Sequence, residues 1–349
     1  MRYCADLPAD PAIRRLLIIK WSAMGDVILA TALLEDIARA FPGRDIHLNT
    51  LPAWQGLFAE DQRVQQIFAI DLRDPRQRVA AVWDWLRQVR RQHYDLVIDL
   101  QCNDRSRLLL SLLRLTGCRI PYRLGNRQQF PYNIAPAELP QPAHTIDRSR
   151  AALQAGNIPA TTPRPVLHIP GAHRVRAQAL LAAHGLTPGQ FAIFLPGCNA
   201  YGYLKRWGAD RYAALANQLH QEGLKHIVLI GGPDEIEECQ HIAQACGSWL
   251  VNLCGQTAIF DIPPLCEPAR FIVANDTGTA HLAAATLTPM LVLCGPTDPR
   301  RVKPLGDNVR TLQADLPCIN CYRKTCSHHS CMAMLTPSRV LQRLREFIG

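Results

Sequence analysis

Two α/β units, each with a parallel sheet covered by helices, are the fold class this sequence predicts. Short apolar runs alternate with longer amphipathic ones along nearly the whole chain, the rhythm of strands buried on both faces between helices. Polar, glycine-bearing turns follow several of those runs, where a parallel strand hands over to a helix. The chain has 349 residues, 48% of them hydrophobic, which suffices for two cores of roughly 150 residues each.

In order, the first half reads RLLIIK, a helix from Asp26 to about Phe41, DIHLNT, a second helical stretch, QQIFAIDL, a helix over 76–92, YDLVIDLQ and a helix over 104–115. Its strand candidates are short and apolar enough to be parallel and covered. The proline-rich QFPYNIAPAELPQPAH, 129–144, reads as a surface loop, and a helix over 145–156 follows. The segment IPATTPRPVLHIPG then reads as a linker, giving a first domain over 1–165 and a second over 166–336. The second half repeats the rhythm with strands near 191, 226, 249, 271 and 290. PSRVLQRLREFI, inside a terminal element over 337–349, is a helix with Pro337 in its first turn.

Three strand ends of the second half carry chemistry. In ANDTGTAHLAAA, 274–285, Asp276, Thr277, Gly278 and His281 fall where an apolar strand meets an alanine-rich helix. Ligands of open α/β sheets bind at such carboxyl ends, and the free N–H groups of a helix start suit a phosphate. The alternative is a capped helix with Asp276 or Thr277 as N-cap and His281 a satisfied core histidine. FAIFLPGCNAYGYLKRWGADRYAALANQL, 191–219, places Lys205, Arg206 and Trp207 after a second such strand, and HIVLIGGPDEIEECQHIAQAC, 226–246, makes a third. Together they suggest one ligand crevice, with Lys205 as a point charge for phosphate and Glu235 or Asp234 as an acceptor for sugar hydroxyls. Trp207 reads as the core anchor of its helix, and Arg206 as a solvated neighbour of Lys205.

Composition narrows the class. MRYCADLPADPAIRR has acids and prolines where an export signal needs an apolar run, and the longest apolar stretches, such as LAAATLTPMLVL, are too short to cross a bilayer. Thirteen cysteines without such a signal point to reduced thiols in a cytoplasm. The formal charge of +9 favours acidic partners. Much of the excess is arginine between 73 and 127, including Arg87, Arg90, Arg91 and Arg123, mostly on solvated helix faces; Arg105 and Arg107 stand apart because they follow YDLVIDLQ at another carboxyl end. A nicotinamide enzyme is not expected, since residues 20–27, KWSAMGDV, supply one glycine where that fingerprint needs three.

Four motifs in order, KWSAMGDVILATALLEDI, LKRWGADRYAALA, GGPDE and NDTGTAHLAAA, resemble glycosyltransferase family 9, the bacterial heptosyltransferases of lipopolysaccharide core assembly, over about Arg15 to Phe347. The resemblance implies the GT-B fold, two Rossmann-like domains facing a central crevice, with the donor held mainly by the second and the acceptor by the first. It implies Asp26, in the S-x-x-G-D turn, as the base that takes the acceptor proton; the alternative is that Asp26 only caps its helix. Lys205 is implied at the diphosphate or sugar, Asp276 at the sugar, Thr277, Gly278 and His281 at the diphosphate, and Glu235 at the ribose. The implied partners are ADP-heptose as donor and the phosphorylated lipopolysaccharide core as acceptor at the inner face of the cytoplasmic membrane, where peripheral membrane contact fits the charge; the place of Arg105 and Arg107 after YDLVIDLQ makes them the expected contacts to acceptor phosphates. No nucleic acid is expected as a partner. Asp71 and Asp74, or Asp95 and Asp99, are not spaced as a D-x-D metal pair, so the transfer is expected to need no catalytic cofactor. Within the same fold the nearest other enzyme is a sugar-nucleotide epimerase.

Cys318, Cys321, Cys326 and Cys331, with His328 and His329 between them, form a compact set over 318–331. Such spacing could wrap a structural zinc or iron, or be four reduced thiols packing a loop. It also matches a zinc knuckle for single-stranded RNA, the reading from another functional class. The resembled family has a similar segment before its last helix, which makes a structural element of the transferase the expectation.

Overall fold

The computed structural model describes residues 6–72, 74–141, 144–198 and 200–348, and the chain divides into two compact units, Met1–His168 and Ile169–Gly349. Of the proline-rich loop 129–144, positions 142 and 143 lie outside the described residues.

The first unit runs β1 (Arg15–Ile19), α1 (Met24–Ala40), β2 (Asp45–Thr50), β3 (Gln66–Ala69), α2 (Arg78–Gln92), β4 (Leu96–Asp99), α3 (Asp104–Leu115), β5 (Tyr122–Leu124) and α4 (Thr145–Gln154). Its sheet is parallel in the order β3-β2-β1-β4-β5. Ile19 is level with Asn49 on one side and Asp99 on the other, so the turns after β1, β2 and β4 open on one edge. The helical stretch expected between β2 and β3 is a 3-10 turn, Pro52–Phe58; its proline and glycine suit a short tight turn better than an α-helix. On one sheet face Trp85, Leu86 and Val89 of α2 and Leu109, Leu110 and Leu113 of α3 pack against Leu17, Ile19 and Val97. Asn49 organises this core: its Oδ1 accepts the indole N–H groups of Trp21 (2.8 Å) and Trp85 (2.9 Å), while Nδ2 donates to the Phe68 carbonyl (3.0 Å).

The second unit runs α5 (Gly171–Ala183), β6 (Phe191–Leu195), α6 (Ala209–Gln221), β7 (His226–Leu229), α7 (Ile236–Gln244), β8 (Leu250–Asn252), α8 (Ile262–Cys266), β9 (Phe271–Asn275), α9 (Gly278–Ala283), β10 (Met290–Cys294), α10 (Pro299–Val302), β11 (Val309–Gln313), α11 (Ser330–Ala333) and α12 (Pro337–Ile348). Its parallel sheet has the order β11-β10-β9-β6-β7-β8, and β6, β9 and β10 are buried throughout, as their continuous apolar runs require. Gly208, with φ of +104°, supplies the backbone that enters α6 and that a side chain would disfavour. Tyr212, Leu215 and Leu219 of α6 share a core with Val340, Leu341 and Leu344 of α12. Trp207 is fully buried there and donates its N–H to the Leu335 carbonyl at 2.6 Å, so it is the core anchor the sequence suggested.

Each unit is therefore a doubly wound α/β layer of the Rossmann type. Among the described residues no helix is long and apolar enough to cross a membrane.

Candidate active site

In a doubly wound sheet the ligand crevice lies at the carboxyl edge where the strand order reverses. In the second unit that point falls between β6 and β9, neighbours in space but far apart in sequence. Lys205, after β6, reaches Asp276, after β9, with Nζ 2.8 Å from Oδ2. Thr297, after β10, donates its hydroxyl to the same Oδ2 at 2.8 Å. Burial alone would push the Lys205 ammonium down, but Asp276 opposite, by charge and hydrogen bond, outweighs it and holds the group above its ordinary value. Asp276 is nearly enclosed, whereas the Lys205 side chain keeps 29% of its exposure, so the ammonium is the partner a ligand can reach.

Around this pair the strand ends are packed closely. Asn275, fully buried, accepts from the Tyr212 hydroxyl at 3.1 Å and donates to the Pro196 carbonyl, tying the end of β9 to the end of β6. A Cβ on Gly197 would collide with the Glu235 side chain, so glycine there lets the carboxylate lie against the turn after β6. Glu235 also accepts from the Gly232 N–H, and burial raises its pKa above the ordinary value. The neighbouring Asp234 is exposed, so Glu235 is the carboxylate turned inward. Thr277 is the N-cap of α9 and Gly278 its first residue, so their backbone lies beside Asp276. His281 is buried on the same short helix. The alanine-rich helix expected here forms and ends after six residues, at Ala283; the chain then turns, with the Thr286 hydroxyl bonding the Ala283 carbonyl at 2.7 Å. Arg206 is not a solvated neighbour: it donates to the Cys198 carbonyl at 2.6 Å and pairs with Glu238 at 3.1 Å, bracing the loop that carries Lys205.

In the first unit the reversal falls between β1 and β4. Asp26 sits in the first turn of α1, where Oδ2 accepts the Ala23 N–H at 3.2 Å. One oxygen thus does the capping that the alternative reading proposed, and among the described residues Oδ1 has no donor. Asp26 and Lys20 line one small hollow with Leu100, Thr145 and Ser149. The Lys20 ammonium donates to the Leu100 carbonyl at 3.3 Å; burial lowers its pKa, and Asp26, Cys102 and Asp99 oppose that shift. Asp99, fully buried at the end of β4, has its pKa raised by burial against hydrogen bonds from Tyr132 (2.5 Å), Cys102 N (2.8 Å) and Gln101 N (2.9 Å). Lys20, Asp99 and Thr297 escaped the sequence reading. Thr297 had a usable signal, because LVLCGPTD is a fourth apolar strand running into a glycine turn; Lys20 and Asp99 looked like strand ends and nothing more.

Two further expected site residues stand at the start of α3, the helix that follows β4. Arg105 is exposed in the first turn of α3. Arg107 is committed to Gln129 (2.6 Å) and Asp104 (3.2 Å). The cysteine cluster also requires correction. Cys318, Cys321, Cys326 and Cys331 line one cavity of about 240 Å³, but among the described residues no group of three or more His, Cys, Asp or Glu stands close enough to hold a metal ion. A tetrahedral site needs four sulfurs each about 2.3 Å from one centre. Here the loop is anchored by other atoms: Tyr322 N–H donates to the Pro296 carbonyl (2.9 Å), its hydroxyl accepts the Asp298 N–H (3.2 Å), and the His329 ring bonds the Leu204 carbonyl (2.7 Å). Cys318 and Cys321 are left exposed. The arrangement does not fit a zinc or iron, and the loop instead leans on the residue preceding Lys205.

Comparison with known proteins agrees with the fold. The model of glycosyltransferase family 9 (heptosyltransferase) matches residues 82–332. Lipopolysaccharide heptosyltransferase 2 of Salmonella typhimurium is 25% identical over 366 residues, covering 96% of this chain and 99% of that protein. Among solved structures, a family 9 glycosyltransferase from Veillonella parvula superposes with a TM-score of 0.82 at 20% identity, covering 97% of this chain and 98% of its own. The Escherichia coli ADP-heptose lipopolysaccharide heptosyltransferase II gives 0.74 at 23% identity, with 96% and 98% covered.

Proposed function

The chain belongs to glycosyltransferase family 9, and on that premise we propose that it moves heptose from ADP-heptose onto the inner core of lipopolysaccharide with inversion at the anomeric carbon. The observation that carries the reading is the Lys205–Asp276–Thr297 cluster at the switch point of the second sheet, a cation held ready beside a carboxylate and a helix start. In the reaction, Asp26 takes the proton of the acceptor hydroxyl as that oxygen bonds to the anomeric carbon and the bond from the same carbon to the diphosphate oxygen breaks. The departing ADP gathers negative charge, which Lys205 and the first N–H groups of α9 meet. Asp276 then accepts from sugar hydroxyls, Thr297 keeps that carboxylate in place, and Glu235 accepts from the ribose. Thr277, Gly278 and His281 border the diphosphate.

Lys205 supplies the charge that a divalent cation supplies in other transferases, so the transfer is read as metal-independent. The acceptor places the work at the inner face of the cytoplasmic membrane, with Arg105 and Arg107 meeting acceptor phosphates. Family membership sets aside the epimerase, and the RNA-knuckle reading loses its metal site. A thermal-shift comparison of ADP, UDP, GDP and CDP tests the donor, because a ligand of the native state raises apparent stability, by about 2.7 kcal/mol at a hundredfold excess over Kd. Stabilisation by ADP alone, followed by ADP release when ADP-heptose and purified inner core are mixed, is the expected result. Stabilisation by UDP alone would replace the donor.

A further inference from the structure

The solvent side of α2 combines features that the transfer site does not use. Val79 is 70% exposed and Trp83 55%, and Leu115, at the end of the neighbouring α3, is 76% exposed. Positions 79, 83, 87 and 90 follow one another at helical spacing, forming one stripe along α2. Trp83, Arg87, Arg90 and Arg91 line, with Thr116, a groove of about 360 Å³, and Arg90 fixes its wall by donating to the Thr116 carbonyl at 3.1 Å. The helix carries Arg78, Arg87, Arg90 and Arg91 against the single acid Asp84, which pairs with Arg87 at 3.3 Å in full solvent.

We propose that this face docks the protein on an anionic bilayer, with Trp83, Val79 and Leu115 entering the headgroup region and Arg87, Arg90 and Arg91 meeting lipid phosphates. A tryptophan ring has its natural place at the boundary between headgroups and acyl chains, and arginine stems lie along apolar surface while their charges stay in the polar layer. Nucleic acid would satisfy the arginines and offer Trp83 a base to stack on. It offers nothing to the aliphatic Val79 and Leu115, which a hydrocarbon boundary does. The inference rests on this surface and not on the transfer reaction.

Sedimentation of the full chain with vesicles of phosphatidylcholine alone, or with about a third phosphatidylglycerol, tests it without any nucleotide sugar, so its outcome is separate from that of the donor assay. Binding is expected only to the anionic vesicles and should fall as salt rises. Each arginine near such a surface is worth roughly fivefold in partition, so Arg87→Gln with Arg91→Gln should weaken binding by roughly 25-fold. Trp83→Ser should weaken it on its own, and both variants should keep the wild-type melting temperature, because the altered side chains stand in solvent. Absence of binding to anionic vesicles overturns the proposal. So does binding that both variants leave unchanged, or tighter binding to single-stranded RNA that the same variants abolish.

Discussion

At Asp26, Oδ2 caps α1 through Ala23, and the role of base proposed above falls to Oδ1. Asp26→Asn keeps the size and the capping acceptor but loses the base, so kcat should fall by roughly 10²- to 10⁴-fold, with ADP affinity, followed by calorimetry, nearly unchanged. Wild-type turnover in that variant would reduce Asp26 to its capping role. Lys205→Ala removes a charge-assisted contact worth about 1.5–3 kcal/mol, and ADP binding should weaken by roughly 10- to 150-fold; an unchanged Kd would leave the ammonium as structural support for Asp276. The cysteine loop makes a separate residue-scale prediction. Backbone N–H groups of His328 and His329 lower the Cys326 pKa, whereas burial raises that of Cys331. More of Cys326 is therefore thiolate at pH 7, and it should be alkylated by iodoacetamide well before Cys331, as peptide mass mapping would show. Equal labelling would mean that the loop does not hold this shape in solution.

At the scale of elements, the strands that escaped the sequence reading share one cause. β5, with YRL half-buried, and β11, with VRTLQ largely partly exposed, are edge strands; an edge needs no continuous apolar run, so its signal is weak. The central strands were legible because both faces are covered. Asn49 could not be assigned from sequence, since a polar residue at the end of DIHLNT looks like the start of a turn. Only the packing of α2 onto the sheet brings Trp85 and Trp21 to the same oxygen. Asn49→Ala leaves two indole N–H groups of the core without their acceptor, each costing about 1–3 kcal/mol. Urea unfolding should show a loss of roughly 2–5 kcal/mol with little change in m-value. A loss below about 1 kcal/mol would mean that water replaces the amide.

For the molecule as a whole, every residue proposed for the donor lies in the second unit, which has its own six-stranded sheet and its own core, closed by α12. Residues 169–349 expressed alone should therefore fold and bind ADP within roughly an order of magnitude of the full chain, by calorimetry, and should transfer no sugar. Failure of the folded fragment to bind would require donor contacts from the first unit. Chelation should leave the initial rate of the intact protein unchanged, because the charge opposite the diphosphate is read as covalently attached at Lys205; immediate loss restored by Mg²⁺ would count against that reading.

The sequence by itself determined the alternation of strand and helix, the parallel class of both sheets, and the strand ends that carry Asp26, Lys205 and Asp276. These are local properties, set by hydrophobic period and by turn residues a few positions apart. Tertiary structure alone decided strand order, and with it which ends meet: β6 and β9 are separated by about 75 residues of chain, yet they bring Lys205 to 2.8 Å from Asp276. It also decided that Arg206 is a brace, that α9 stops after six residues, and that four cysteines with ligand-like spacing line a cavity instead of closing on one point. Spacing along a chain fixes which groups can meet, but the side chains anchoring the loop fix whether they do: here Tyr322 and His329 hold it to Pro296, Asp298 and Leu204, and the sulfurs follow that course.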